Sequence, residues 1–185
     1  MIKRLNWIFL LSLAVLFSQC TDDDDPDTTK SKEEVLAGEN SKKWKLSKMN
    51  VPASASGITI HLNVLTFGEG VCLSDNIFEF FADGKLLVDE GTQKCSENSP
   101  QQVSGTWKWD ESDENILIIG STVFDGIFEE YNLPEFDGKL TVETLTETKM
   151  VIPYTFKTDK PITIDYNGTT ATLGETIHIE FEAIQ

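Results

Sequence analysis

Apolar and polar positions alternate strictly in two stretches of the chain. Ile58, Ile60, Leu62 and Val64 are spaced by Thr59, His61 and Asn63, and Ile177, Ile179, Phe181 and Ala183 by His178, Glu180 and Glu182. Period two is the mark of a strand buried on one face, so both histidines fall on a polar, exposed side. Residues 76–81 and 85–89 read as strands around Asp83-Gly84, a pair suited to a tight hairpin because both residues tolerate positive φ. Further strands are predicted over 103–109, 116–119, 140–145 and 150–156, with turns at Asp137-Gly138 and Asn167-Gly168 and one short helix near 33–36. Eight or more strands so spaced predict an all-β antiparallel barrel or sandwich, and a barrel removes exposed strand edges. The strand 76–81 is apolar on both sides, Phe78 and Phe80 on one and Ile77 and Phe81 on the other, so one side can line a cavity.

The first residues follow a different pattern. Lys3 and Arg4 precede an apolar run over 5–17, broken only by Asn6 and Ser12, which is the layout of a secretory signal. The run is shorter than the roughly 20 apolar residues of a membrane-spanning helix. Leu16-Phe17-Ser18-Gln19-Cys20 resembles the lipobox of bacterial lipoproteins, although Gln19 stands where a smaller residue is usual. That resemblance implies acylation of Cys20 and an anchor in the outer membrane. Thr21 and the four aspartates 22–25 resemble the acidic export tag of surface lipoproteins; physically, the run is also a self-repelling, solvated tether. Asp27-Thr28-Thr29 fits a short O-glycosylation pattern of the same bacteria. The expected organisation is a signal peptide over 1–19, a lipidated cysteine and flexible acidic tether over 20–32, and one β domain over 33–185.

Without Lys3 and Arg4 the formal charge moves from −16 to −18. A surface so negative repels phosphate backbones, which excludes nucleic acid as a partner. With Cys20 given to lipid, Cys72 and Cys95 form an even pair in an oxidising compartment and are expected to be bonded. A metal or redox role fits them poorly, since neither has a CxxC partner and the two histidines lie far off in sequence.

Several short pieces then occur in a telling order. Leu36-Ala37-Gly38 precedes Trp44-Lys45-Leu46. The run from Cys72 through Asp75-Asn76 to Phe78 and Phe80 leads to Asp83-Gly84, Cys95 and Gly105-Thr106-Trp107. This order resembles the bacterial lipocalin-like lipoproteins over residues 35–152, with 157–176 an added hairpin. The resemblance implies a lipocalin-like barrel, in which Trp44, Phe78, Phe80 and Trp107 are either pocket wall or barrel core. The two tryptophans are expected to close the barrel floor, which requires an acceptor for each indole N–H.

No nucleophile elbow, phosphate-binding glycine loop, His pair at helical spacing or Cys-His arrangement occurs. Asp110, Asp113 and Glu114 share a loop but lack the glycine and oxygen spacing of an EF-hand. The expectation is therefore a non-enzymatic domain without cofactor or metal, tethered through Cys20 and binding a small apolar molecule or glycan fragment. The alternative is a structural or protein-interaction module whose barrel is filled by side chains.

Overall fold

The computed structural model describes residues 30–185 apart from 67, 99, 121–136, 156–162 and 167–168. The expected signal peptide, Cys20, the acidic run, Thr28 and the turn expected at Asn167-Gly168 lie outside the described residues. The fold is all-β with one short helix.

Helix α1 (Lys32–Ala37) starts where Ser31 accepts the Glu34 N–H and Glu34 returns a carboxylate to the Ser31 N–H, a reciprocal cap that satisfies two otherwise orphaned donors. It ends at Gly38, whose φ of 64° suits glycine. Twelve strands follow: β1 (Ser41–Ala55), β2 (Ile58–Asn63), β3 (Ile77–Phe81), β4 (Lys85–Asp89), β5 (Gln102–Trp109), β6 (Ile116–Gly120), β7 (Lys139–Thr141), β8 (Thr144–Leu145), β9 (Lys149–Thr155), β10 (Thr163–Tyr166), β11 (Thr169–Leu173) and β12 (Thr176–Ala183). Two 3-10 turns, Val64–Thr66 and Gly68–Leu73, separate β2 from β3.

The main antiparallel path runs β7-β6-β5-β4-β3-β1-β12-β9-β8. Its two ends are almost the same piece of chain, because only Val142 and Glu143 separate β7 from β8. The Val142 N–H donates to the Asn115 carbonyl on the β6 side, and the next N–H, of Glu143, donates to Val151 on β9. The expected single strand over 140–145 is thus split as it crosses from one sheet edge to the other, and the sheet curls into a half-barrel closed at this end. Beyond Val151, β9 pairs only with β12 among the described residues.

The long strand β1 spans both halves of the molecule. Its first part lies between β3 and β12; its last part lies between β2 and β11. The segment 157–176 contributes the β10–β11 pair to this extension. The hairpin between β3 and β4 uses a three-residue loop in which Gly84, at φ 85°, carries the positive angle while Asp83 accepts the Lys85 N–H.

The half-barrel interior follows from alternation. Trp44, Leu46, Phe78, Phe80, Leu86, Val88, Trp107, Leu117, Ile119, Met150, Ile152 and Phe181 point inward and form one buried cluster with Leu36 and Ala37 of α1. Two opposite ends result. At one, α1 plugs the interior; Lys42 bonds the Val35 carbonyl, and Lys30 and Lys42 pair with Glu147. At the other, Leu65 and Leu73 from the 3-10 turns form a buried roof. Cys72 in that roof is bonded to Cys95, with 5.1 Å between their Cα atoms.

Candidate functional site

The four aromatic residues singled out in the sequence come together, in the core. Trp44, Phe78, Phe80 and Trp107 are all buried. The Trp44 indole N–H donates to the Leu36 carbonyl at 2.8 Å, fastening α1 to the wall, and that of Trp107 donates to the Phe81 carbonyl at 2.9 Å. Phe80 meets Trp107 edge-on at 5.8 Å between centroids, and Phe78 meets Phe181 edge-on at 5.1 Å. Such pairs add about 0.5–1.5 kcal/mol beyond burial alone. Both indole donors are spent on backbone, so these residues act as scaffold at the plugged end.

The opposite end has different chemistry. Among the described residues, four buried side-chain atoms lack a hydrogen-bond partner: Asp75 Oδ1, Asn76 Oδ1, Glu90 Oε2 and Trp109 Nε1. The first three are acceptors on adjacent ends of β3 and β4. In the ladder Ile77 opposes Asp89, which brings Asn76 opposite Glu90 and Asp75 opposite Gly91. Asn76 precedes the inward-facing Phe78 and Phe80 by even steps, and Glu90 follows the inward-facing Leu86 and Val88 in the same way. Asn76 is only 5% exposed. Two acceptor oxygens near the unplugged ends of β3 and β4 are therefore buried with no donor. Leaving such a group unsatisfied costs about 1–3 kcal/mol.

The backbone around this pair is firmly framed. Asp75 Oδ2 accepts the Thr92 N–H at 2.7 Å, the Thr92 hydroxyl at 2.8 Å and the Gln93 N–H at 3.2 Å. Burial pushes the Asp75 carboxyl up, but these bonds outweigh it and hold the group below its ordinary value. Asp89 is also lowered, first by the Gln102 side chain, then by Gln101 and the Gly91 N–H. Gly91 sits at φ 69°, and a Cβ there would lie 2.5 Å from Asp75 Cγ, so glycine is required twice over. The Glu90 N–H donates to the Gln101 carbonyl, and the Leu46 N–H donates to the Asn76 carbonyl, so both main chains are pinned while Asn76 Oδ1 and Glu90 Oε2 have no donor.

Tyr154 and Ile177 oppose each other on β9 and β12, towards the same end of the interior. Burial pushes the Tyr154 phenol up, and Asp137 adds to the effect. Both oxygens and both roof leucines are closed to solvent in the empty fold, so a molecule with hydrogen-bond donors on one edge reaches the oxygens only with local opening of this end.

Neither Asn76 nor Glu90 stood out in the sequence as a site residue, although Asn76 lies in the Asp75-Asn76 motif. The available signal was a polar residue at an inward position of an alternation, 76-78-80 and 86-88-90. The Asp110 loop acts as a turn: Asp110 accepts the Ser112 hydroxyl and N–H and pairs with Lys139, which lowers its carboxyl to about 2. Among the described residues, no group of three or more His, Cys, Asp or Glu side chains could hold a metal ion. The histidines are apart, His61 on β2 and His178 on β12. No protein-family model and no curated protein matches the chain.

Proposed function

We propose that this chain is a non-catalytic binding module, lipid-anchored through Cys20 to the outer membrane and displayed outward, whose lipocalin-like half-barrel takes a small ligand at the end opposite α1. The observation that carries the proposal is the pair of buried, donorless acceptors, Asn76 Oδ1 and Glu90 Oε2. A purely apolar ligand leaves both unsatisfied, whereas a glycan fragment supplies hydroxyl donors to both. The acceptor pair thus favours the glycan fragment over the simple apolar molecule. Trp44, Phe78, Phe80 and Trp107 support the site from below and do not touch the ligand.

Native mass spectrometry of the chain purified from its own membranes tests this reading. The expected spectrum shows a non-covalent mass increment that is lost on denaturation, and an acylated Cys20 in the denatured mass. A bare mass under native conditions counts against the ligand, and an unmodified Cys20 counts against the anchor.

A further inference from the structure

Among the described residues, the extension of the sheet beyond the barrel ends in an open edge. Strands β1 and β2 form a hairpin through Ser56 and Gly57, both at positive φ (51° and 80°), and β2 pairs only with β1 among the described residues. Residues 58–61 are exposed on both faces, with Ile58 and Ile60 at 68% and 50%. Natural edges are usually blunted by lysine, proline or a bulge; β2 (Ile-Thr-Ile-His-Leu-Asn) has neither residue, and its register with β1 runs unbroken.

The direction of the free backbone groups can be read from one residue. Pro52 opposes His61, and its carbonyl points away from β2 to accept the Gly174 N–H after β11, so Pro52 and His61 are a non-hydrogen-bonded pair. The alternating pairs Ala53 with Ile60 and Ala55 with Ile58 are then the bonded ones. It follows that the N–H and C=O groups of Thr59 and His61 point outward from the edge, flanking Ile60.

Charge identifies the occupant. The chain carries −16 overall, yet no Asp, Glu, Lys or Arg occurs from Asn50 to Gly68. This is a surface on which two copies of so acidic a chain can approach without setting like charges against each other. The strand is also self-complementary. Antiparallel pairing about Ile60 sets Ile60 against Ile60, Ile58 against Leu62 and Thr59 against His61, apolar with apolar and polar with polar.

We propose that β2 pairs antiparallel with β2 of a second copy, about a two-fold axis through Ile60, with the outward groups of Thr59 and His61 bonding across it. The contact is one short strand wide, well under the roughly 1,000 Å² of a stable interface, so the dimer is weak and the residual repulsion makes it tighten with salt.

Cysteine cross-linking of the chain from residue 20 onward, with Cys20→Ser, tests the register. Cα atoms of a non-hydrogen-bonded antiparallel pair lie about 4.5 Å apart, within disulfide range. Under mild oxidation Ile60→Cys is expected to give a covalent dimer at least tenfold faster than Ile58→Cys. Sedimentation velocity of the parent is expected to show dimer growing with concentration and salt, and Ile60→Lys, at an exposed site, to stay monomeric. Equal cross-linking at 58 and 60 overturns the register. A parent that stays monomeric at all concentrations, or an Ile60→Lys chain that still dimerises, overturns the dimer.

Discussion

Trp44 on the first strand and Leu36 in the only described helix are both completely buried and joined by one hydrogen bond, from the indole N–H to the Leu36 carbonyl. That bond is the internal fastening of the plug. Trp44→Phe keeps most of the apolar volume but leaves a buried carbonyl without its donor, which costs about 1–3 kcal/mol. Leu36→Ala removes the plug's own side chain and costs about 2–5 kcal/mol. Urea unfolding followed by tryptophan fluorescence measures both. If Trp44→Phe unfolds at the parent midpoint, the bond adds nothing.

The Cys72–Cys95 bond closes 23 residues of chain separation over the roofed end. In the chain-entropy model a loop of that size stabilises the fold by about 3 kcal/mol. Replacing both cysteines by serine is expected to lower stability by up to that amount, with the loss visible in the unfolding midpoint. The roof containing Leu65 and Leu73 is expected to lose hydrogen-exchange protection first, and uniform loss across the barrel contradicts a local role.

Gly91→Ala is expected to be among the most damaging single-methyl changes outside the core. It places a Cβ against the Asp75 carboxyl at an angle that side chains rarely adopt. A loss of about 2 kcal/mol or more is expected from the combined strain and clash. Gly57→Ala serves as the control, since its φ is also positive but nothing lies within 4 Å of the added methyl. The comparison separates contact from backbone strain: equal losses for the two show that the Asp75 contact does not matter.

Acid is expected to destabilise the domain. Asp75, Asp89, Asp110 and Glu180 are all held below their ordinary values, Asp110 at about 2. Each binds its proton more weakly folded than unfolded. Their stabilising effect is therefore complete above the unfolded carboxylate range near pH 4–5 and is lost as pH falls through their lowered folded values, for Asp110 about 2. Thermal melts from pH 7 to pH 2 should fall steadily below about pH 5, and Asp75→Asn should flatten part of the slope. A melting temperature that rises on acidification shows that relief of the −16 charge outweighs these groups.

Much of the fold was legible because alternation is a local signal. The strands near 76–81, 85–89 and 103–109 and the helix near 33–36 lie within a residue or two of their positions, and the cysteines pair as expected. What was hidden depends on neighbours distant in sequence. Residues 51–55, Val-Pro-Ala-Ser-Ala, carry no strand pattern, and they extend β1 because β2 and β11 flank them and Pro52 needs no N–H towards β2, while its carbonyl accepts the Gly174 N–H on the other side. The break at Val142-Glu143 is equally silent, since it reflects the sheet curling back on itself. The site was harder still. Aromatic residues attract attention as pocket walls, yet Trp44 and Trp107 spend their donors on backbone, while the unsatisfied groups belong to Asn76 and Glu90, whose partners can be counted only in three dimensions.

In the proposed function, Asn76 and Glu90 are kept for a ligand at a cost to the empty fold. Unfolding the ligand-free Asn76→Leu, Glu90→Leu double variant beside the parent tests it most directly, because apolar side chains at both positions remove two buried acceptors that lack donors. The expected result is a double variant at least as stable as the parent. A loss of more than about 1 kcal/mol contradicts it, because the two side chains then support the empty fold.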